Sequence, residues 1–141
     1  MKAKEYLLQI RNIDRKIENK QLQLDSLYDM AKSITVTPKE IDIQTSPALD
    51  PMGDTIAKIV DLQDELNRDI DRYVDMKLEA MRLINQMDNP DHANILIRRY
   101  INYDSWQDIA DLMGISRQAV DKKHGISLVE FQRLVDKSLH E

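Results

Sequence analysis

Residues 105–125, SWQDIADLMGISRQAVDKKHG, constrain this chain most, because two short runs of helical periodicity meet there at a glycine, each run preceded by a capping hydroxyl. Ser105 stands before the first run and Asp108 three residues later, the spacing at which side chains serve the open backbone donors of a helix start. Trp106, Ile109, Ala110 and Met113 then recur on one helical face. Gly114 ends the run at a backbone angle that costs least without a side chain, Ile115 returns to the core, and Ser116 caps a second helix that opens on Arg117 and Gln118. Ala110 is small where the two helices must cross, and Val120 packs back against it. The pattern predicts a helix-turn-helix with helices over 105–113 and 116–124.

The outer face of the second helix carries Arg117, Gln118, Asp121 and Lys122. Arginine and glutamine match the paired donors and acceptors that guanine and adenine edges present in the major groove of DNA, whereas a helix that needs only to be soluble carries glutamate more often. Charge works against an indiscriminate polyanion binder. The net formal charge is −5, and residues 91–141 hold seven basic and eight acidic side chains against thirteen and seventeen in residues 1–90. Phosphate neutralisation by lysine and arginine supplies most non-specific affinity for DNA, so a near-neutral module must cluster its cations or act in several copies. The candidate DNA-binding set is Arg98, Arg99, Arg117, Lys122 and Lys123 as cations, Gln118 and Asp121 on the reading face, and the capping hydroxyls Ser105 and Ser116.

Upstream, Ala3, Ile10, Ile17, Leu24 and Ala31 form one heptad row and Tyr6, Ile13, Leu27 and Ile34 another, broken only by Lys20. Such a stripe implies a helix of roughly 45 Å, at ~1.5 Å per residue, lying against another helix. The partner is a second periodic segment from about Thr55 to Met87, through Ile56, Ile59, Gln63, Leu66, Ile70, Tyr73, Lys77, Ala80, Ile84 and Met87, widened by Val60, Val74 and Met81. Residues 35–54 hold three prolines and a glycine and read as the connecting loop, with one short turn after Thr37-Pro38. The simplest packing is an antiparallel hairpin over 1–88 whose remaining apolar surface a second copy covers as a homodimer; the alternative packs the hairpin only on its own C-terminal module.

Asn89 and Pro90 begin the second domain, 89–141, with a helix over 90–102 carrying Ile95, Leu96, Tyr100 and Ile101. A tail from about Ile126 holds Leu128, Phe131, Leu134 and Val135, with Gly125 as a kink or break before it. The expected fold is all-α, a long N-terminal hairpin followed by a helix-turn-helix domain. The composition agrees: three glycines, four prolines and one phenylalanine in 141 residues leave little room for a sheet. With no cysteine, disulfides and thiolate metal sites are excluded. The absence of a long apolar run argues against a membrane span or signal peptide and for a soluble, cytoplasmic protein.

Catalytic readings find little. His92, His124 and His140 have no companion at zinc-ligand spacing, and no P-loop or nucleophile elbow occurs. His124 reads as a phosphate or packing residue rather than a base. The carboxylates Asp61, Asp64, Glu65, Asp69 and Asp71 sit at helical surface spacing and read as a solvated face, so no metal, cofactor or enzymatic activity is expected.

The stretch ILIRRYINYDSWQDIADLMGISRQAVDKKHGISL resembles region 4 of sigma-70-type factors, in which an arginine-bearing helix precedes the helix-turn-helix. With DTIAKIVDLQDELNRDIDRYVDMKLEAMRLI in front, the chain is similar to a family of small phage and prophage proteins of Gram-positive bacteria related to the ArpU and RinA late-gene regulators. In region 4 the cap is followed by an arginine and an acid, with a polar residue further along, and these touch promoter bases. Arg117 matches the arginine, Gln118 stands where the acid is usual, and Lys122 matches the later polar residue. Asp121 occupies a position normally basic and Lys123 one normally apolar, and no region 2 is present to bind core polymerase and melt DNA. The resemblance therefore implies a DNA-binding transcriptional regulator rather than a complete sigma factor, with a hairpin that pairs two chains or engages RNA polymerase. Two rivals stay open: a DNA-packaging protein of the small-terminase kind, which works as a ring, and a helical interaction adaptor that does not bind DNA.

Overall fold

The computed structural model describes residues 1–36 and 50–139, and among these no strand occurs. The fold is all-α, as expected. Helices α1 (Ala3–Val36) and α2 (Pro51–Ile84) are followed by α3 (Pro90–Leu96), which continues through a π-turn at Ile97–Ile101, then α4 (Trp106–Met113) and α5 (Arg117–Leu139). The turn expected after Thr37-Pro38 lies outside the described residues.

Backbone proximity divides the chain into two compact units. The unit Asp14–Arg72 takes in most of α1 and of α2. Leu24, Ile59 and Leu66 form its core, fringed by Ile17, Leu27, Ala31 and Leu62, so both heptad rows contribute. Lys20 lies beside Asp69 while Ala31 lies beside Ile59, and numbers that run in opposite directions make the pair antiparallel. The break that Lys20 makes in its row is thereby explained. Its Nζ donates to Asp69 Oδ2 at 2.5 Å and stands 3.8 Å from Glu65 Oε2, so the polar position is neutralised from the facing helix.

The prolines between the long helices act differently from expectation at Pro51. Instead of extending the loop to residue 54, Pro51 occupies the first turn of α2, where its missing N–H removes a donor that has no intrahelical partner anyway. Asp50 Oδ1 accepts from the Gly53 N–H at 2.9 Å, and Thr55 Oγ1 donates to the Pro51 carbonyl at 2.7 Å. A capping carboxylate directly before a proline is a helix start, and α1 likewise runs on to Val36.

The second unit joins Met1–Ile13 to Tyr73–Glu141. Leu7, Ile10, Leu83, Ile84, Leu96, Tyr100, Phe131 and Val135 share one core, so the first turns of α1 pack with the C-terminal helices. Gln132 fastens them: its Oε1 accepts from the Ala3 N–H at 2.6 Å, a donor with no partner inside α1, and its Nε2 donates to the Met1 carbonyl at 3.0 Å. Glu130 fastens α3, accepting from the Asp88 N–H at 3.0 Å and meeting His92 Nδ1 at 2.9 Å. Asn89 caps α3 as expected, with its side chain accepting from Asp91 and His92. A smaller core of Ile95, Ile109, Ala110 and Val120, bordered by Trp106, Met113 and Ile115, holds the helix-turn-helix.

Gly125 neither breaks nor ends the second helix of the helix-turn-helix, since α5 is continuous from Arg117 to Leu139. A glycine inside a helix costs ~1 kcal/mol, while burying Phe131 and Val135 stabilises by roughly 1.5–3 kcal/mol each, so packing prevails over propensity. The buried Ser127 adds a hydrogen bond from Oγ to the Lys123 carbonyl at 2.7 Å.

The two glycines of this unit should respond oppositely to alanine. Gly114 has φ 66°, and a Cβ there meets no atom within 4 Å, so only backbone strain opposes Gly114→Ala, at about 1–2 kcal/mol. Gly125 also has open space around it but lies in regular helix, so Gly125→Ala should stabilise by about 0.5–1 kcal/mol. Urea unfolding midpoints check both, and the opposite order would contradict the two backbone assignments.

Candidate nucleic-acid interface

The turn between α4 and α5 is fixed by hydrogen bonds at each of its joints. Ser105 Oγ accepts from the Asp108 N–H at 3.1 Å. Gly114, at φ 66° and ψ 32°, lets its own N–H reach the Asp111 carbonyl and the Ile115 N–H reach the Ala110 carbonyl at 3.1 Å, satisfying the last carbonyls of α4. Ser116 Oγ then accepts from the Ala119 N–H at 3.1 Å, and its carbonyl accepts from Val120 at 3.0 Å. Both serines expected among the site residues are therefore caps.

This joint sets which side chains α5 presents. Ile109, Ala110 and Val120 are buried between the helices, which leaves Arg117, Gln118, Asp121 and Lys122 exposed and Lys123 half-buried. Arg117 Nε stands 3.8 Å from Asp121 Oδ1, an exposed pair one helical turn apart worth only ~0.3–0.5 kcal/mol. An incoming phosphate or base edge can displace it.

The two arginines ahead of the motif have different surroundings. Arg98 Nε donates to Asn94 Oδ1 at 2.8 Å, and its guanidinium lies 3.7 Å from Asp104 Oδ2. Arg99 donates to the Asp104 carbonyl at 3.1 Å and lays its guanidinium over the Trp106 ring, 4.3 Å from the centroid. Arg117 approaches the same ring at 5.9 Å. Burial foremost, with Arg11 and Arg117 adding to it against an opposing pull from Tyr100, lowers the Arg99 pKa from its ordinary value. An arginine so placed still remains a cation.

His124 supports this group from below. Its ring meets Trp106 edge-on at 4.5 Å, and its Nε2 is 2.7 Å from the Tyr100 hydroxyl. Burial, then the charges of Lys4 and Arg99, push the imidazole down to about 4 against an opposing pull from Asp121. At neutral pH the ring is therefore uncharged and serves packing, not phosphate. His92 is engaged with Glu130, and His140 lies outside the described residues. Among the described residues no group of three or more His, Asp or Glu side chains is placed to hold a metal ion, and no helix is long and apolar enough to cross a membrane.

Sequence reasoning missed Tyr103 and the cations of α1. Tyr103 takes a left-handed conformation, φ 62°, after the π-turn, and the Asp104 N–H returns to the Arg98 carbonyl at 2.8 Å, which aims Asp104 at both arginines. Arg11 lies 5.4 Å over the Tyr103 ring. The heptad rows of α1 carry no signal for this, because they describe only its buried face.

The fold and this surface define a helical hairpin bearing a helix-turn-helix. The chain belongs to the family described as protein of unknown function (DUF1492), whose model matches residues 47–136. No curated protein and no solved structure matches the chain.

The buried imidazole gives a pH test. An unfolded histidine titrates near 6.5, so between that value and about 4 the unfolded chain binds a proton that the folded one refuses. Stability should be complete above pH 6.5 and fall as the pH drops toward 4. His124→Gln should flatten this part of the profile, and NMR should place the His124 ring titration near 4; an ordinary midpoint above 6 would contradict the packing role.

Proposed function

We propose that this chain is a phage-type DNA-binding transcriptional regulator that lays α5 in the major groove, with Arg117, Gln118 and Lys122 reading base edges. One observation carries the reading: a capped, glycine-hinged turn leaves these three side chains exposed on the opening turns of the second helix of a helix-turn-helix. Their donors suit guanine and adenine edges, and the resemblance of residues 95–128 to sigma-70 region 4 supports the same assignment. Arg98 and Arg99 precede the reader, where phosphate contacts fix register without reading sequence.

The near-neutral charge of the module makes a second copy useful, since two half-sites reinforce one another. Within the hairpin unit, Ile56, Val60 and Ile70 of α2 are large, apolar and exposed, a surface suited to pairing two chains through the hairpin or to engaging RNA polymerase. A second reading has its own support: Asp121 lies beside Arg117 on the reading face, as suits an adaptor that has lost DNA binding.

Selection from a random duplex pool supplies a site. Against that site, Arg117→Ala and Lys122→Ala should each cost about 1–3 kcal/mol while the fold is kept, because both side chains are exposed. Equal affinity in both variants removes the reader assignment, and no affinity of the wild-type chain at low salt replaces the regulator with the adaptor. Ile70→Lys should yield monomers in sedimentation and weaken binding to the selected site; a ring in light scattering would favour the packaging rival.

A further inference from the structure

The first turns of α1 bring the helix-turn-helix cations that its own sequence does not contain. Arg11 lies over Tyr103, while Arg99 and Arg117 share the ring of Trp106. Lys4 stands two helical turns before Arg11 on the same face of α1, and Arg11 and Arg117 both act on the Arg99 charge, so the cations of α1 adjoin those of the helix-turn-helix. Acidic compensation is thin. Asp104 faces Arg98 with its carboxylate, Asp121 faces Arg117, and among the described residues no ion pair engages Lys4, Arg11 or Arg99. Lys4 is exposed, Arg11 and Arg99 half-buried.

The aromatic rings explain how like charges are held together. Lying over Tyr103 and Trp106 uses the face of a guanidinium and leaves for a planar or tetrahedral oxyanion the N–H edge of Arg11 and the donors of Arg99 that do not serve the Asp104 carbonyl. Convergent cations repel one another until an anion lies among them, so the cluster gains most from a phosphate. It adjoins Arg117 at the start of the reading helix, which favours a nucleic-acid backbone over an acidic peptide.

We infer that Lys4 and Arg11 of α1, together with Arg99, form a second contact surface that takes backbone phosphates of duplex DNA flanking the groove read by α5. The inference rests on the DNA-binding reading of α5. It extends the interface beyond the helix-turn-helix and makes the N-terminal turns of the hairpin part of it.

The test uses the full chain, with Lys4→Gln and Arg11→Gln separately and together. Fluorescence anisotropy follows two duplexes, one recovered by the wild-type chain from a random pool and one of mixed sequence, across a salt series. The variants should weaken both duplexes alike and flatten the slope of log affinity against log salt by about 0.9 for each phosphate left without its cation. Arg11→Lys should restore most of the slope. Since Arg11 also packs on Tyr103, thermal unfolding accompanies each variant, and the exposed Lys4→Gln decides the matter alone if Arg11→Gln unfolds. If wild type binds and Arg117→Ala loses the selected site while the α1 variants keep the slope, this inference falls and the DNA reading stands. A loss confined to the selected duplex also overturns it, because a phosphate contact reads no sequence. If the wild-type chain binds neither duplex at low salt, both fall.

Discussion

Three helices converge on the ring of Trp106, and the arrangement of the C-terminal module depends on that contact. The π-turn after α3 supplies Arg99, α4 supplies the ring itself, and α5 supplies Arg117 and His124. Each aromatic or cation–π contact is worth only about 0.5–2 kcal/mol, and together they add to the core of Ile95, Ile109, Ala110 and Val120 that holds α4 and α5 at the turn. The same ring keeps two guanidiniums close to one another and close to solvent. Packing and charge are thus arranged by one residue, with the neutral His124 filling the space beneath, where a charged ring would be repelled by Lys4 and Arg99.

Much of the architecture was legible because it follows from short-range rules. Ser105, Gly114 and Ser116 mark helix boundaries by capping chemistry and by a left-handed turn, and the structure places each in that role. The heptad rows of α1 and the stripe of α2 give an antiparallel hairpin because burial follows period. Gly125 misled as a boundary because propensity is weaker than the burial of Phe131 and Val135, and Pro51 misled because a proline opens a helix as readily as it ends one.

The candidate site was legible only in part. The exposed face of α5 follows from its register, since burying Val120 turns Arg117, Gln118 and Lys122 outward. The surroundings of Arg98 and Arg99 did not follow, because Asp104 reaches them through a π-turn and a left-handed Tyr103 that no periodicity encodes. Arg11 was invisible for another reason. Its contact with Tyr103 joins residues far apart in sequence, and a sequence pattern reports which face of a helix is buried, not what its flank meets.

Entry of the opening turns of α5 into the DNA groove is the proposal on which the functional reading rests. Amide chemical shifts of the isotopically labelled chain, followed while duplex DNA is added at low salt, address it most directly. Perturbation should be concentrated at Ser116 to Lys123, with smaller shifts around Lys4 and Arg11 and little change in the hairpin unit from Asp14 to Arg72. Shifts confined to that hairpin unit, or none at all with DNA in excess, would contradict it.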